Sequence, residues 1–211
     1  MADHPIFTES IRRIRALLGE TGLGPLEQQV LERLVHSSGD PGLRPLLQFS
    51  EGACARGVEA LRAGAVILTD TAMAAAAVRP MAGRTLGSEV RCLLDWAPAQ
   101  SPPGSTRSAA AMQRAWPALT QAAADADQPM PLVLVGSAPT ALELLLDLLE
   151  VGAPAPSVVI GMPVGFVGVP ESKRRLAGTD LAQIRLEGTR GGAGLVAAAA
   201  NALLRAAQAA S

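Results

Sequence analysis

Short apolar runs recur along this chain, and a stretch long enough for a helix separates most of them. The runs occupy residues 65–69, 89–94, 132–135, 157–160 and 182–186. Parallel strands need long crossover connections, and a parallel sheet is buried on both faces, so its strands are continuously apolar. The pattern therefore predicts an α/β fold of the doubly wound, flavodoxin-like class. We expect a parallel five-stranded sheet with helices on both faces.

Helical periodicity marks the segments around these runs. Apolar residues recur at steps of three and four between Ile6 and Leu18. Pro25 opens the next helix, which is predicted to run to His36 and to stop before Gly39. Further helices are predicted over residues 51–63, 106–124 and 139–150 and after Gly194. The length of 211 residues is most economically interpreted as one domain over residues 1–211.

A loop rich in glycine and proline, residues 162–168, follows the run at 157–160. Three more turns precede predicted helices, at residues 105–108, 136–140 and 189–194. The first N–H groups of a helix lack helical partners and lie at the positive end of the helix dipole, so they attract anions. Ligands of doubly wound sheets bind beyond the carboxyl ends of the strands, where these turns are predicted to converge. The turn at 105–108 reaches that edge only if the proline-rich loop before it folds round.

Composition and motifs disfavour several functional classes. The formal net charge of -1 gives no general surface for nucleic acid, and 2% aromatic residues with no tyrosine make base-stacking platforms improbable. No G-x-G-x-x-G follows the first run and no G-x-x-x-x-G-K-[ST] occurs in the chain. A nucleotide enzyme or a binding-only module is therefore the minority interpretation.

Cysteine usage and the ends of the chain bear on location. Cys54 and Cys92 lack the spacing of metal or redox motifs, and we expect both to be small buried hydrophobes. The start of the sequence has no positive segment followed by an apolar run, so a cytoplasmic protein is expected. The alanine-rich stretch at 194–210 contains polar interruptions such as Asn201 and is predicted to be a packed helix rather than a membrane span.

Five segments occur in a fixed order: VHSSG at 35–39, TRSAAAM at 106–112, G-x-APTAL at 136–142, VGFVG-x-x-ESK at 164–173, and a Gly-Gly turn before AAAANAL at 197–203. Their order and spacing resemble precorrin-8X methylmutase and its cobalt-precorrin-8 counterpart from cobalamin (vitamin B12) biosynthesis. The agreement extends from about Ile6 to Leu204, nearly the whole chain. Two positions depart from the family pattern: Ser137 stands where asparagine is usual, and Ala193 where serine is usual.

The resemblance implies an isomerase that moves a methyl group from carbon 11 to carbon 12 of a corrin precursor. Precorrin-8, or cobalt-precorrin-8, would become hydrogenobyrinic acid, or cobyrinic acid. The reaction implied needs no redox cofactor and no methyl donor, and no metal site is expected. The implied partners are a polycarboxylate tetrapyrrole and a second copy of the chain in a homodimer. The alternative is a diverged paralogue that binds a corrinoid without isomerising it.

The resemblance also implies roles for individual residues. His36 matches the acid–base histidine of the family, and an ordinary pKa near ~6.5 lets histidine give and recover a proton near neutral pH. A histidine at a helix end could instead bind the last carbonyls of that helix. The implied substrate-binding residues are Ser10, Arg107, Ser137, Thr140, Gly165, Arg190, Gly191 and Gly192.

Simpler structural roles compete at some of these positions. An arginine fork suits a carboxylate, but an exposed arginine is often only solvated. Ser137 could be the N-cap of the helix that starts at Pro139. Glu171, Ser172 and Lys173 could be an ordinary helix start with Lys173 solvated.

Overall fold

Six strands form one sheet in the computed structural model, which describes residues 4–209. They are β1 (Leu47–Phe49), β2 (Ile67–Thr69), β3 (Val90–Cys92), β4 (Leu132–Val135), β5 (Val158–Gly161) and β6 (Gln183–Leu186). The spatial order is β1-β6-β5-β4-β2-β3, and every neighbouring pair is parallel except β1 with β6. The five parallel strands have the flavodoxin-type order, which confirms the predicted fold class.

The predicted count of five strands is wrong, because β1 adds an antiparallel edge. Leu47 pairs with Leu186 and Phe49 with Ile184. This strand has only three residues and directly follows the 3-10 turn Pro41–Leu46. An edge strand pairs on one side only and needs no long apolar run, so periodicity gave no signal for it.

Eight α-helices surround the sheet within residues 4–209. They are α1 (Pro5–Leu18), α2 (Pro25–Ser38), α3 (Ala53–Arg62), α4 (Ala72–Arg84), α5 (Arg107–Asp125), α6 (Pro139–Glu150), α7 (Val169–Ala177) and α8 (Ala193–Ala209). Helix α4 was not specifically predicted. It begins after Thr71, whose side chain accepts the N–H of Ala74. Its alanine-rich composition and the internal Pro80 weaken the periodic pattern that reveals a helix.

Alternating strand residues feed two cores on opposite faces of the sheet. Ile67, Ile160 and Ile184 contribute to the core under α1–α4 and α8. Leu68 and Val133 contribute to the core under α5–α7. Helix α8 packs against α2, α3 and α4, and its many buried alanines let these helix backbones approach closely. Helices thus cover both faces, as the sequence predicts.

Cys54 and Cys92 are free and buried, as expected for small apolar side chains. Across residues 4–209, no helix combines the length and apolar character needed to cross a membrane. Residues 1–3, on which part of the expectation about the start of the chain rests, lie outside the described residues.

Candidate active site

The loops after β4, β5 and β6 pack against each other at the carboxyl edge of the sheet. A Cβ atom added to Gly136 would lie 2.8 Å from the Cα of Ala193, and one added to Gly191 would overlap the carbonyl oxygen of Met162. The N–H of Gly192 donates to that Met162 oxygen at 2.8 Å. The turns predicted to converge do converge, and glycine is required because the backbones touch.

Hydrogen bonds between turns extend this arrangement. The N–H of Val164 donates to the carbonyl of Gly136 at 3.2 Å, and the N–H of Gly165 donates to the carbonyl of Thr189 at 3.1 Å. The loop after β5 is therefore tied to the loops on both sides of it. We call residues 136–140, 162–168 and 189–192 the turn face.

Asp70, the residue directly after β2, fills the first of these turns from inside the protein. Its Oδ2 accepts the backbone N–H groups of Gly136 at 3.0 Å, Ser137 at 2.6 Å and Ala138 at 2.8 Å. Burial raises the pKa of Asp70, although the three N–H donors act in the opposite direction. The residue is 2% exposed, and Oδ1 has no hydrogen-bond partner within the described chain. The prediction that these N–H groups are free for a substrate anion is therefore wrong.

The start of α6 also differs from the predicted capping. Ala138 is its N-cap residue, so the N-cap role suggested for Ser137 is wrong. Ser137 is exposed beside this helix start. The hydroxyl of Thr140 hydrogen-bonds the hydroxyl of Thr106 at 2.7 Å. This bond joins the starts of α5 and α6, so the proline-rich loop does bring the turn at 105–108 to the site.

Arg107 lies exposed in the first turn of α5. Its Nε donates to the carbonyl of Pro98 at 2.9 Å, which fixes the base of the guanidinium against the proline-rich loop. The two Nη atoms are the ones that can meet a carboxylate as a fork. Arg107 therefore lies at one end of the turn face with its side chain partly preorganised.

Lys173 is the only lysine in the chain, and it is 2% exposed. Its Nζ donates to the carbonyl of Gly188 at 2.9 Å and to that of Arg190 at 2.6 Å. Burial lowers the pKa of this amine to about 8. The prediction of a solvated Lys173 is wrong, because its side chain ties α7 to the turn that carries Arg190.

The Arg190 side chain connects the turn face to the end of α2. Its Nη1 lies 2.9 Å from Oδ2 of Asp40, and both side chains are part-exposed. Asp40 also accepts the N–H of Gly42 at 2.8 Å through its other oxygen. Asp40 was not predicted to belong to the site. The only local feature that could have indicated it is a charged residue directly after a helix end.

His36 lies in the last turn of α2, as predicted. Its Nδ1 is 2.8 Å from the hydroxyl oxygen of Ser10, so its ring binds α1 rather than the last carbonyls of its own helix. Phe7 meets the ring edge-on at a centroid distance of 5.1 Å. Partial burial of the ring and, second, the positive charge of Arg33 lower the pKa of His36. We call Phe7, Ser10, Arg33 and His36 the His36 corner.

A cavity of about 500 Å³ opens beside this corner between α1, α2 and α8. Phe7 separates it from His36, and the guanidinium groups of Arg33 and Arg205 each lie 5.1 Å from the Phe7 ring centroid. Arg12 and Arg15 on its rim pair with glutamates of α1 and α2. Arginines of all three helices therefore line the cavity next to the corner, and two of them are paired with glutamates.

A chain of contacts connects the elements that carry the site residues implied by the resemblance. It runs from Ser10 and His36 through the end of α2 to Arg190, then across the turn face to Thr140 and, through α5, to Arg107. Within residues 4–209, no three His, Cys, Asp or Glu side chains gather as a metal site requires. The arrangement offers one titratable imidazole at the end of α2 and exposed arginine and hydroxyl side chains around the turns, whose backbone N–H groups are largely occupied.

Known proteins match this chain over nearly its whole length. The family model described as precorrin-8X methylmutase matches residues 5–206. A cobalt-precorrin-8 methylmutase of Synechocystis sp. is 33% identical over 96% of this chain and 95% of its own length. A precorrin-8X methylmutase of Pseudomonas aeruginosa is 38% identical over 94% and 93%. The crystal structure of precorrin-8x methyl mutase from Thermus thermophilus superposes with a TM-score of 0.85 at 38% identity, covering 98% of this chain and 99% of that one.

Proposed function

The chain belongs to the precorrin-8X methylmutase family, and we propose that its turn face binds a corrinoid polycarboxylate while His36 supplies the proton for the methyl shift. It is an isomerase of cobalamin biosynthesis, which converts precorrin-8 or cobalt-precorrin-8 into hydrogenobyrinic acid or cobyrinic acid. The observation that carries the role of His36 is the 2.8 Å contact between its Nδ1 and Ser10. This contact fixes the ring and directs Nε2 away from α1.

The proton transfer follows from that orientation. In the imidazolium form, Nδ1–H donates to Ser10 and Nε2–H is available to a nitrogen of the macrocycle. Protonation of the ring nitrogen draws electrons toward it while the bond from carbon 11 to the methyl breaks and the bond to carbon 12 forms. The nitrogen then returns its proton to His36, so substrate and product are isomers and the step is balanced without a methyl donor. The lowered pKa makes His36 a stronger acid than free histidine.

The carboxylates of the substrate are proposed to meet side chains around the turn face. Arg107 and Arg190 are the candidate ionic partners, because a guanidinium fork matches a carboxylate. Arg190 would then share its charge between Asp40 and the ligand. The remaining proposed contacts are through Ser10, Ser137, Thr140, Gly165, Gly191 and Gly192. The first turn contributes mainly through side chains, since Asp70 occupies its N–H groups.

We infer that the chain acts as one domain and assembles as a homodimer. The single-domain inference is supported by the one sheet that all six described strands share. Support for the dimer comes from α1, where Ile6 is 74% exposed and Leu17 is 65% exposed. Eleven positions separate them, which places them on the same helix face. Sedimentation of the wild type against an Ile6→Ser, Leu17→Ser variant tests the dimer, and an unchanged mass would remove this face from the interface.

We also propose that the enzyme works in the cytoplasm. The two free cysteines are compatible with a reducing compartment, where thiols persist. Fractionation of the source cells with an antibody against the protein tests this location. Recovery outside the cytoplasmic fraction would contradict it.

The decisive experiment is anaerobic absorption spectroscopy of the enzyme mixed with precorrin-8 and, separately, with cobalt-precorrin-8. We compare the wild type, His36→Ala and His4→Asn. His4 is the other histidine of the chain and caps α1 through its side chain, so asparagine keeps the cap while removing the imidazole. We expect the wild type and His4→Asn to form product and His36→Ala to bind but turn over at least about 100-fold more slowly.

Each outcome assigns a role. Near-normal turnover by His36→Ala would remove His36 as the acid. A spectrum that shifts on mixing but does not develop with either substrate would favour the paralogue that binds a corrinoid without isomerising it. Turnover of one substrate alone would identify whether the natural macrocycle contains cobalt.

A further inference from the structure

The loop after β5 exposes three apolar side chains at the centre of the turn face. Val164 is 49% exposed, Phe166 is 86% exposed and Val167 is 90% exposed. The other two phenylalanines of the chain, Phe7 and Phe49, are partly buried against the core. Scattered exposed apolar residues are ordinary, whereas three within four positions of one loop in a proposed ligand-binding region favour a contact surface.

The backbone holds this loop at both ends. Val164 and Gly165 donate N–H groups to the neighbouring turns, and the carbonyl of Gly168 accepts the N–H of Ser172 in α7. Gly165 has a φ of 141°, a conformation that other residues rarely adopt. Phe166 and Val167 are therefore presented outward by a fixed backbone.

We propose that Val164, Phe166 and Val167 form an apolar platform on which one face of the corrinoid macrocycle rests. This inference rests on the proposed function and adds to it the part of the ligand that the polar groups cannot bind. A corrin precursor combines a largely apolar ring with carboxylates at its edge. The loop is bonded to the turn that carries Arg190 and to the Gly136 turn that leads to Thr140, so polar side chains lie on both turns next to the platform.

The area of the platform favours a small ligand over a second protein copy. A stable interface buries about 800 Å² on each partner around an apolar centre. Large side chains bury at most about 250 Å² each, and valine buries less, so three side chains fall short of that area. One macrocycle is of a size to contact all three. Aromatic anchors of this kind carry a large share of the binding free energy in many complexes.

The test measures the affinity of the intact protein for hydrogenobyrinic acid and for cobyrinic acid, followed by absorption. Phe166→Ala is compared with Phe166→Leu and with Val151→Ala. Val151 is 82% exposed at the far end of α6, so it is an equally exposed apolar residue away from the turn face. We expect Phe166→Ala to bind about 10-fold to 100-fold more weakly, Phe166→Leu less than about 5-fold more weakly, and Val151→Ala like the wild type.

Ionic strength and sedimentation separate the explanations. The Phe166→Ala effect should persist at 0.5 M NaCl, whereas the weakening caused by Arg107→Met should shrink, since salt screens exposed charges. Unchanged affinity of Phe166→Ala would overturn the platform and leave the proposed function standing. A fall in affinity that accompanies a change in sedimenting mass would overturn it in favour of a contact between copies. A wild type that binds neither corrinoid would remove the proposed function and the platform together.

Discussion

The turn face and the His36 corner are constructed in opposite ways. The turn face is shaped by backbone turns, and two buried ionisable side chains hold that shape: Asp70 accepts three N–H groups, and Lys173 donates to two carbonyls. The His36 corner consists of side chains from two helices, and His36 remains exposed. Asp70 and Lys173, which hold the turn face, are buried, whereas the titratable ring of the His36 corner is exposed.

This difference indicates that the buried groups of the turn face maintain the shape of the site, whereas the His36 corner supplies its acid–base chemistry. A helix start that looks like an anion site can already hold an internal anion, as Asp70 does beside α6. A ligand of the turn face must then be recognised by side chains around the turns. Substitution of Asp70 or Lys173 should therefore affect stability first, and substitution in the His36 corner should affect turnover with little change in stability.

The largest effect is expected for Asp70→Ala. The substitution leaves the buried N–H groups of Gly136, Ser137 and Ala138 without their shared acceptor, which we expect to lower the free energy of unfolding by about 3 kcal/mol or more. Urea denaturation measures it. Asp95→Ala is the matched control, because Asp95 follows β3 and is exposed. Equal midpoints for the two variants would show that the turn face does not depend on its internal anion.

Lys173→Met should have a smaller and pH-dependent effect. At pH 7, loss of the donor to two carbonyls should lower the free energy of unfolding by about 1 kcal/mol. The folded pKa of about 8 lies below the ordinary value of 10.5, so burying the charged amine costs stability fully below pH 8. Between these pH values the unfolded chain binds more protons than the folded one, and the wild type gains stability as pH rises.

Urea midpoints of the wild type and Lys173→Met across pH 7–10 measure this effect. The cysteines and the terminal amine are present in both proteins, so their titration cancels in the difference. With no other lysine and no tyrosine in the chain, the difference reports one group. If the midpoints of the two proteins changed with pH in parallel, the lowered pKa of Lys173 would be contradicted.

Local sequence patterns were sufficient to predict the elements that depend on residues close together in the chain. They predicted the parallel strands, the helix end at His36 and the turns that precede helices. They could not predict contacts between distant segments: Ser10 and His36 are 26 positions apart, and Asp70 reaches Gly136 across 66. Those pairs depend on tertiary packing, which no local pattern encodes. The sequence did contain a signal for each buried ionisable group. Asp70 directly follows a strand, and Lys173 is the only lysine.

Arg33→Met should alter the His36 corner without a large change in stability. Removing the positive charge raises the pKa of His36, because Arg33 lowers it. If His36 acts as the acid in the free enzyme, kcat/KM falls as pH rises through this pKa, and the falling limb moves to higher pH in the variant. Arg33→Lys keeps the charge and should keep the wild-type limb. NMR titration of His36, with its signal assigned by His4→Asn, measures the pKa directly. An unshifted limb with a shifted pKa would separate His36 from the rate-controlling proton transfer.

The smallest effect is expected for Ser137→Asn, which installs the residue usual in the family. The backbone N–H of Ser137 goes to Asp70 whatever the side chain, and the side chain is exposed, so the free energy of unfolding should change by less than about 0.5 kcal/mol. An amide adds one donor toward a ligand carboxylate, and we expect about threefold tighter binding of hydrogenobyrinic acid. Ser137→Ala should weaken binding slightly. A clear loss of stability in either variant would show that the Ser137 side chain helps to hold the turn face together, as Asp70 and Lys173 do. A change in affinity without a change in stability would show that it contacts the ligand.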